Sequence, residues 1–152
     1  MTDLGQAGES LVAAWLEQQG GKILQQRWRS PWGEIDLITH FPDTKIIAFV
    51  EVKTRSGGNW DQGGLLAVNA RKREKIWQTA NHFLASQPQW SDWNCRFDVA
   101  IVFSESQSQS STGNNPAHSK RNLPANVELG QTIIWQGYRL RLEQYLTDAF
   151  GG

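Results

Sequence analysis

The chain has 152 residues, and 15 lysines and arginines balance 15 aspartates and glutamates, so its formal net charge is zero. That length allows one domain with its own hydrophobic core, and the balanced charge excludes a strongly basic nucleic-acid binder. One cysteine rules out an internal disulfide and fits a reducing compartment. Because the apolar run Leu11 to Leu16 is too short to span a membrane, we expect a single cytoplasmic domain, residues 1–152, without a membrane segment.

The N-terminal segment has the pattern of an amphipathic helix. Asp3 can cap a helix from Leu4 to Gln19, which Gly20 and Gly21 end. Glu9 lies at the border of the apolar face. Its carboxylate is either a solvated group at the rim of that face or a group that reaches a metal held by a neighbouring sheet. The helical pattern leaves both alternatives open.

Three strands are predicted next. Lys22 to Arg29 forms the first, Glu34 to His40 the second and Ile46 to Thr54 the third. Pro42 to Lys45 has the composition of a tight turn between the second and third strands. If this turn is a four-residue loop, His40 pairs with Ile47 and the antiparallel register continues back along both strands.

In that register Asp36 faces Glu51, with Cβ atoms roughly 5 Å apart. Two like charges so close destabilise a sheet unless a cation or a proton lies between them. Mg²⁺ or Mn²⁺ is the simplest solution, held by Asp36, Glu51, the backbone carbonyl of Val52 and water. Lys53, one pleat beyond Glu51, is placed to orient an attacking water or to stabilise the transition state of phosphodiester hydrolysis.

A glycine-rich loop, Arg55 to Val68, follows the third strand. Its four glycines indicate mobility or close approach to a partner. Beside a site suited to phosphodiester hydrolysis, the expected partner is a sugar-phosphate backbone, which Arg55 would contact. Trp60 either stacks on a base or packs as part of a lid on the core.

A second helix is predicted from Ala70 to Ala85, with Ile76 on its inner face. Lys72 lies one turn before Ile76 on that face. It either extends to solvent or pairs with an anion, and the anion is the acidic cluster or a substrate phosphate. Arg71 adds to the positive charge of the segment Lys53 to Lys75, which has four more basic than acidic residues.

The rest of the chain completes an α/β fold with a mixed central sheet flanked by helices. Arg96 to Phe103 is a strand in which Asp98 is expected to form an ion pair with Arg96. Residues 104–131 are rich in Ser, Gln and Asn, and we expect a disordered insertion there. Thr132 to Trp135 and Tyr138 to Leu142 form a closing hairpin.

These residues resemble a known family when they are taken in order. Asp36 followed by Glu51-Val52-Lys53 is similar to the signature of the PD-(D/E)XK nuclease superfamily, which contains the archaeal Holliday junction resolvases. The wider set resembles the YraN-like family of predicted endonucleases. That set comprises Gly8-Glu9, Gly33 to Ile38, Phe49 to Arg55, Lys72, Arg96 to Val99 and Ala149-Phe150.

The resemblance implies a restriction-endonuclease-like core and a Mg²⁺-dependent endodeoxyribonuclease that cuts branched or flapped DNA. It assigns catalysis to Glu9, Asp36, Glu51 and Lys53, with Glu9 as a further metal ligand, and it favours a nucleic-acid contact for Lys72. A homodimer is expected if four-way junctions are cut symmetrically, because that reaction needs two active sites.

Two other functions remain open at this stage. The chain could be a nucleic-acid-binding module of the same fold without catalytic turnover, or a protein-interaction adaptor that uses its eight tryptophans. The residues do not distinguish DNA from RNA as the target.

Overall fold

The computed structural model describes residues 3–56, 70–105 and 126–149. The predicted Trp60 loop, the Phe150 end and most of the predicted insertion lie outside these ranges. The elements in chain order are α1 (Leu4–Gln18), β1 (Lys22–Ser30), β2 (Gly33–Phe41), β3 (Ile46–Ser56), α2 (Ala70–Ala85), a short 3-10 turn (Pro88–Trp90), β4 (Asn94–Ser104), β5 (Thr132–Trp135) and β6 (Tyr138–Leu146).

The described strands form one mixed sheet in the order β1-β2-β3-β4-β6-β5. β1, β2 and β3 are an antiparallel meander. β4 pairs with β3 in parallel, and α2 lies between the two strands in the chain. β6 and then β5 extend the other side as an antiparallel hairpin. The α/β class, the meander, the parallel crossover and the closing hairpin are therefore confirmed.

The two helices cover opposite faces of the sheet. Apolar residues of α1 such as Leu11 pack on Ala48 and Val50 of β3. Residues of α2 such as Ile76 pack on Ile47 and Phe49. Successive residues of β3 thus serve different cores, as the alternation of side chains along a strand requires.

Several predicted boundaries need correction. α1 ends at Gln18 rather than Gln19, and β6 continues to Leu146. Both ends of the predicted disordered insertion are ordered. Ser104 is buried in β4. Val127 is 3% exposed in the apolar cluster under α1, and its backbone exchanges two hydrogen bonds with the Gln18 side chain, at 2.6 and 2.9 Å.

Among the described residues, neither α-helix combines the length and the apolar character needed to cross a lipid bilayer.

Candidate active site

The candidate site lies where β3 changes from apolar to charged. Ile47 and Phe49 are buried under α2. Glu51 and Lys53 continue the same alternation and are half-buried, beyond the part of the strand that α2 covers with apolar side chains. The sequence predicts this change of polarity, and it places two charged side chains at the rim of a buried sheet.

Asp36 reaches β3 through its side chain rather than through strand pairing. The predicted register is confirmed from Phe41 opposite Ile46 to Leu37 opposite Val50, and regular pairing ends there. Asp36 is therefore not backbone-paired with Glu51 as predicted. Its Oδ2 instead accepts a hydrogen bond of 2.8 Å from the Val52 backbone N–H.

A change in the pleat of β2 explains this arrangement. Leu37 belongs to the cluster under α1, whereas Ile35, two residues earlier, belongs to the cluster under α2. In a regular strand both would lie on one face. The alternation is thus interrupted at Asp36, whose carboxylate is directed sideways at the backbone of β3.

The backbone of Val52 contributes to the same gap between strands. The N–H and C=O groups of one strand residue point to the same neighbouring strand. Since the Val52 N–H is directed at Asp36, its carbonyl oxygen also faces the β2 side. The gap thus has a carboxylate on one side and a backbone carbonyl on the other, both of them oxygen donors.

The charge of Asp36 affects the protonation of Glu51. Burial, followed by the charge of Asp36, raises the pKa of Glu51 to about 7. Burial also raises the pKa of Asp36, although the hydrogen bond from Val52 opposes that change. Two half-buried carboxylates at this rim favour a proton or a cation between them.

Two lysines, Lys53 and Lys72, place positive charge beside the two carboxylates. Lys72 Nζ of α2 lies 3.6 Å from Glu51 Oε2. Burial lowers the pKa of Lys53, and a hydrogen bond and the charge of Lys72 lower it further. The predicted position of Lys72 on the inner face of α2 is therefore confirmed, and its anion is the acidic cluster.

Glu9 approaches the site from α1 but has a different partner. Its Oε1 accepts a hydrogen bond of 2.8 Å from Arg27 Nε of β1. Burial raises the pKa of Glu9, and the charge of Asp36 adds to that effect. Glu9 is thus near Asp36, and its hydrogen-bond partner is Arg27.

The predicted nucleic-acid contacts are dispersed. Arg55 lies on β3 beyond Lys53, and its buried Nε has no hydrogen-bond partner among the residues that the structure describes. Arg71 is exposed at the start of α2. Trp60 lies outside the described residues, and Glu34 pairs with Arg29 at 3.9 Å.

These residues meet part of the requirements of a divalent metal site. Within residues 3–56, 70–105 and 126–149, no three His, Cys, Asp or Glu side chains form a group that could hold a metal ion. Asp36, Glu51 and the Val52 carbonyl nevertheless provide hard oxygen donors, and water completes such ligand sets for Mg²⁺. The mutual repulsion of the two carboxylates is the feature that a divalent cation would relieve.

Sequence reasoning missed two parts of the site. It did not pair Arg27 of β1 with Glu9 of α1, the carboxylate that Arg27 engages. It also missed the contact between Lys53 and Lys72. The alternation of β3 and the inner-face position of Lys72 could have indicated that contact, because both patterns direct an ammonium group into the same corner.

Comparison with known proteins identifies relatives that span this site. The model of "Uncharacterised protein family UPF0102" matches residues 8–102, which include Glu9, Asp36, Glu51, Lys53 and Lys72. The chain is 87% identical to the UPF0102 protein sll0189 of Synechocystis sp. over the full length of both proteins.

More distant relatives cover the same region. A UPF0102 protein of Trichodesmium erythraeum is 41% identical, over 97% of this chain and 88% of its own length. A UPF0102 protein of a Synechococcus strain is 50% identical over 67% of this chain and 75% of its own length.

Proposed function

The chain belongs to the protein family UPF0102, the YraN family, and from that membership and the geometry above we propose that it is a metal-dependent endonuclease acting on DNA. The observation that carries the proposal is the pair of half-buried carboxylates, Asp36 and Glu51, at the rim of the sheet. Burial, followed by the charge of Asp36, raises the pKa of Glu51 to about 7, so the pair is suited to share a divalent cation.

Asp36, Glu51 and the carbonyl of Val52 would hold Mg²⁺ or Mn²⁺. Once bound, this ion supplies a water of lowered pKa and offsets the charge that develops on the phosphate. The hydrogen bond from Val52 fixes the Asp36 carboxylate and uses only one of its two oxygens. Glu9, beside Asp36, would join the acidic site if Arg27 were drawn away from it.

Lys53 is the group that would act on the attacking water. Burial and the nearby charge of Lys72 lower the pKa of its ammonium group. A lysine whose proton is more easily lost can exchange a proton with water, and in its charged form it can hydrogen-bond a phosphate oxygen. Both roles require the side chain to remain next to Glu51, one pleat away on β3.

The fold supports a restriction-endonuclease-like core of the PD-(D/E)XK type. Asp36 lies on the strand before Glu51 and Lys53, in a mixed sheet with a helix on each face. Arg55, Lys72 and Arg71 extend positive charge from the site along β3 and α2, where a DNA backbone would bind. Branched or flapped DNA is the proposed substrate, and symmetric junction cutting would require a homodimer.

The test is cleavage of labelled linear, flapped and four-way DNA in Mg²⁺ and in Mn²⁺. We expect wild type to cut at least one substrate, and Asp36→Asn and Lys53→Ala to lower the rate by roughly 100-fold or more. Glu17→Gln removes a charge from an exposed position on α1. This variant is the control and should cut DNA at the wild-type rate. Binding of the same DNA in EDTA, without cleavage in either metal, would favour a non-catalytic binding module.

A further inference from the structure

Lys72 has an unfavourable position for a cation. It lies in the first turn of α2, where the helix dipole repels positive charge. Its side chain is 40% exposed, whereas that of its partner Glu51 is 12% exposed. The ion pair therefore joins a carboxylate that cannot leave the site to an ammonium group on a long, partly solvated stem.

The charges around Glu51 show what this ammonium group does. Asp36 and Glu51 bring two negative charges, which Lys53 and Lys72 balance when all four groups are ionised. A divalent cation bound to the same two carboxylates would face the Lys72 ammonium group at short range. Like charges at such short distances repel, so metal binding at Glu51 would disfavour the ion pair between Glu51 and Lys72.

On the basis of the proposed endonuclease function, we infer that Lys72 is the counter-ion of Glu51 in the metal-free protein, that a divalent metal displaces it, and that the displaced ammonium group then binds a phosphate of the nucleic acid. Lys72 thereby sets how tightly the site binds metal. It also makes metal binding increase the positive charge offered to the substrate.

The geometry gives the displaced side chain a destination. Lys72 starts α2 on the side of the sheet that carries Glu51 and Lys53, and Arg55 follows on β3. A substrate phosphate is the anion that the proposed reaction would bring to that corner.

The experiment compares the Mn²⁺ affinity of wild type, Lys72→Met and Lys75→Met by electron paramagnetic resonance. Lys75→Met removes the same charge from an exposed position on the same helix. We expect Lys72→Met to bind Mn²⁺ about fivefold more tightly, which matches the loss of a half-exposed ion pair, and Lys75→Met to stay within twofold of wild type. Lys72→Arg, which keeps a cation, should stay close to wild type.

Binding of labelled four-way DNA in Mn²⁺ tests the second half of the inference. The comparison is between Lys53→Ala alone and Lys53→Ala combined with Lys72→Met, because Lys53→Ala prevents cleavage. The added Lys72→Met change should weaken DNA binding about threefold, as expected for one lost phosphate contact. Tighter metal binding together with weaker DNA binding is the expected pattern, and a residue that only maintains structure would not produce opposite effects.

Each contrary outcome is distinct. If Lys72→Met binds Mn²⁺ no more tightly than wild type while wild type binds it, the inference is wrong and the proposed function is unaffected. If Lys72→Met binds Mn²⁺ more tightly but DNA equally well, the transfer to phosphate is wrong. If neither protein binds Mn²⁺, both the metal-dependent function and the inference are overturned.

Discussion

Gly8 of α1 lies so close to Thr54 of β3 that no side chain fits between them. A Cβ atom at Gly8 would overlap the Thr54 hydroxyl oxygen. This contact brings α1 down onto the charged end of β3 and places the next residue, Glu9, near Asp36. The position of Glu9 therefore depends on the absence of a side chain one residue earlier.

We predict that Gly8→Ala lowers the free energy of unfolding by about 1–3 kcal/mol, because either the helix or Thr54 must move. Gly8→Ala combined with Thr54→Ala should regain most of this loss, since the overlapping oxygen is removed and the next nearest atom is 3.5 Å away. Urea denaturation of the two single variants and the double variant measures this coupling. Additive effects in the double variant would contradict the proposed contact.

Gly5→Ala is the matched control on the same helix. The nearest atom to a Cβ at Gly5 is Asp3 Oδ1 at 3.6 Å, an ordinary van der Waals contact. Alanine there should raise the free energy of unfolding by about 0.5–1 kcal/mol, because it restricts the unfolded chain and favours helix. A loss of stability at both glycines would point to a general intolerance of α1.

Asp36 has two roles that different substitutions separate. Asp36→Ala leaves the Val52 N–H without its acceptor, and we expect it to cost about 1–3 kcal/mol. Asp36→Asn keeps an oxygen that can accept this hydrogen bond and removes a charge that opposes Glu51, so it should be at least as stable as wild type in EDTA. Thermal unfolding with and without Mn²⁺ tests both variants.

Neither Asp36 variant should gain stability when Mn²⁺ is added, whereas wild type should. If Asp36→Asn were stabilised by Mn²⁺ as much as wild type, the metal would bind elsewhere. If Asp36→Ala were as stable as Asp36→Asn, the hydrogen bond from Val52 to Asp36 would make no contribution to the stability of the fold.

Much of the fold could be predicted because its patterns are local. The capping of α1 by Asp3 and the register from Phe41 opposite Ile46 depend on residues close in the chain. Lys72 could also be placed, since its spacing from Ile76 determines its face of α2.

The details of the site depend on contacts that no periodic pattern contains. Arg27 adopts a left-handed backbone conformation, with φ of 54°, and its guanidinium engages Glu9. Regular alternation therefore does not describe β1 at this point. Asp36 lies opposite Arg27 in the sheet. The break in the pleat at Asp36 likewise cannot be predicted from a two-residue alternation of side chains. Both features come from tertiary packing.

Asp98 was interpreted from the sequence as the partner of Arg96, and that ion pair is confirmed at 3.1 Å. Asp98 is fully buried and also accepts hydrogen bonds from the Tyr145 hydroxyl at 2.6 Å and the Asp148 N–H at 2.9 Å. One carboxylate thus connects β4 to the end of the C-terminal hairpin.

We predict that Asp98→Ala lowers the free energy of unfolding by about 3–5 kcal/mol, since it leaves several buried polar groups without a partner. Tyr145→Phe should lower the free energy of unfolding by about 1.5–3 kcal/mol, the contribution of one hydrogen bond to a charged group. Hydrogen exchange should show faster exchange of the Asp148 amide in Asp98→Ala. Unchanged protection of that amide would mean that Asp98 does not hold the C-terminal segment.

Glu51 gives the metal-free protein a dependence on pH with a defined sign. Its pKa is about 7 in the folded protein and 4.5 when unperturbed. Between these values the folded state binds the proton more tightly, so the contribution of Glu51 to stability falls as the pH rises from 4.5 to 7. Above pH 7 the folded protein carries the full cost of an ionised Glu51 beside Asp36, on the order of 3 kcal/mol.

Glu51→Gln removes this titration while keeping the shape of the side chain. In EDTA we expect the variant to be more stable than wild type at pH 8 and to approach wild-type stability at pH 4.5, where Glu51 is protonated. Urea denaturation across this pH range measures the free energy of unfolding of the variant and of wild type. The difference between the two proteins cancels the contributions of groups that titrate in both, such as His40. Glu17→Gln, on the exposed side of α1, should follow the wild-type curve.

Mn²⁺ should reverse the order at pH 8, because an ionised Glu51 binds the metal and the glutamine does not. Wild type should then gain stability in proportion to the logarithm of the metal concentration, and this gain should shrink below pH 7 as protons compete for Glu51. A variant that is no more stable than wild type in EDTA at pH 8 would show that Lys53 and Lys72 already neutralise the two carboxylates, leaving no electrostatic cost for a metal to relieve.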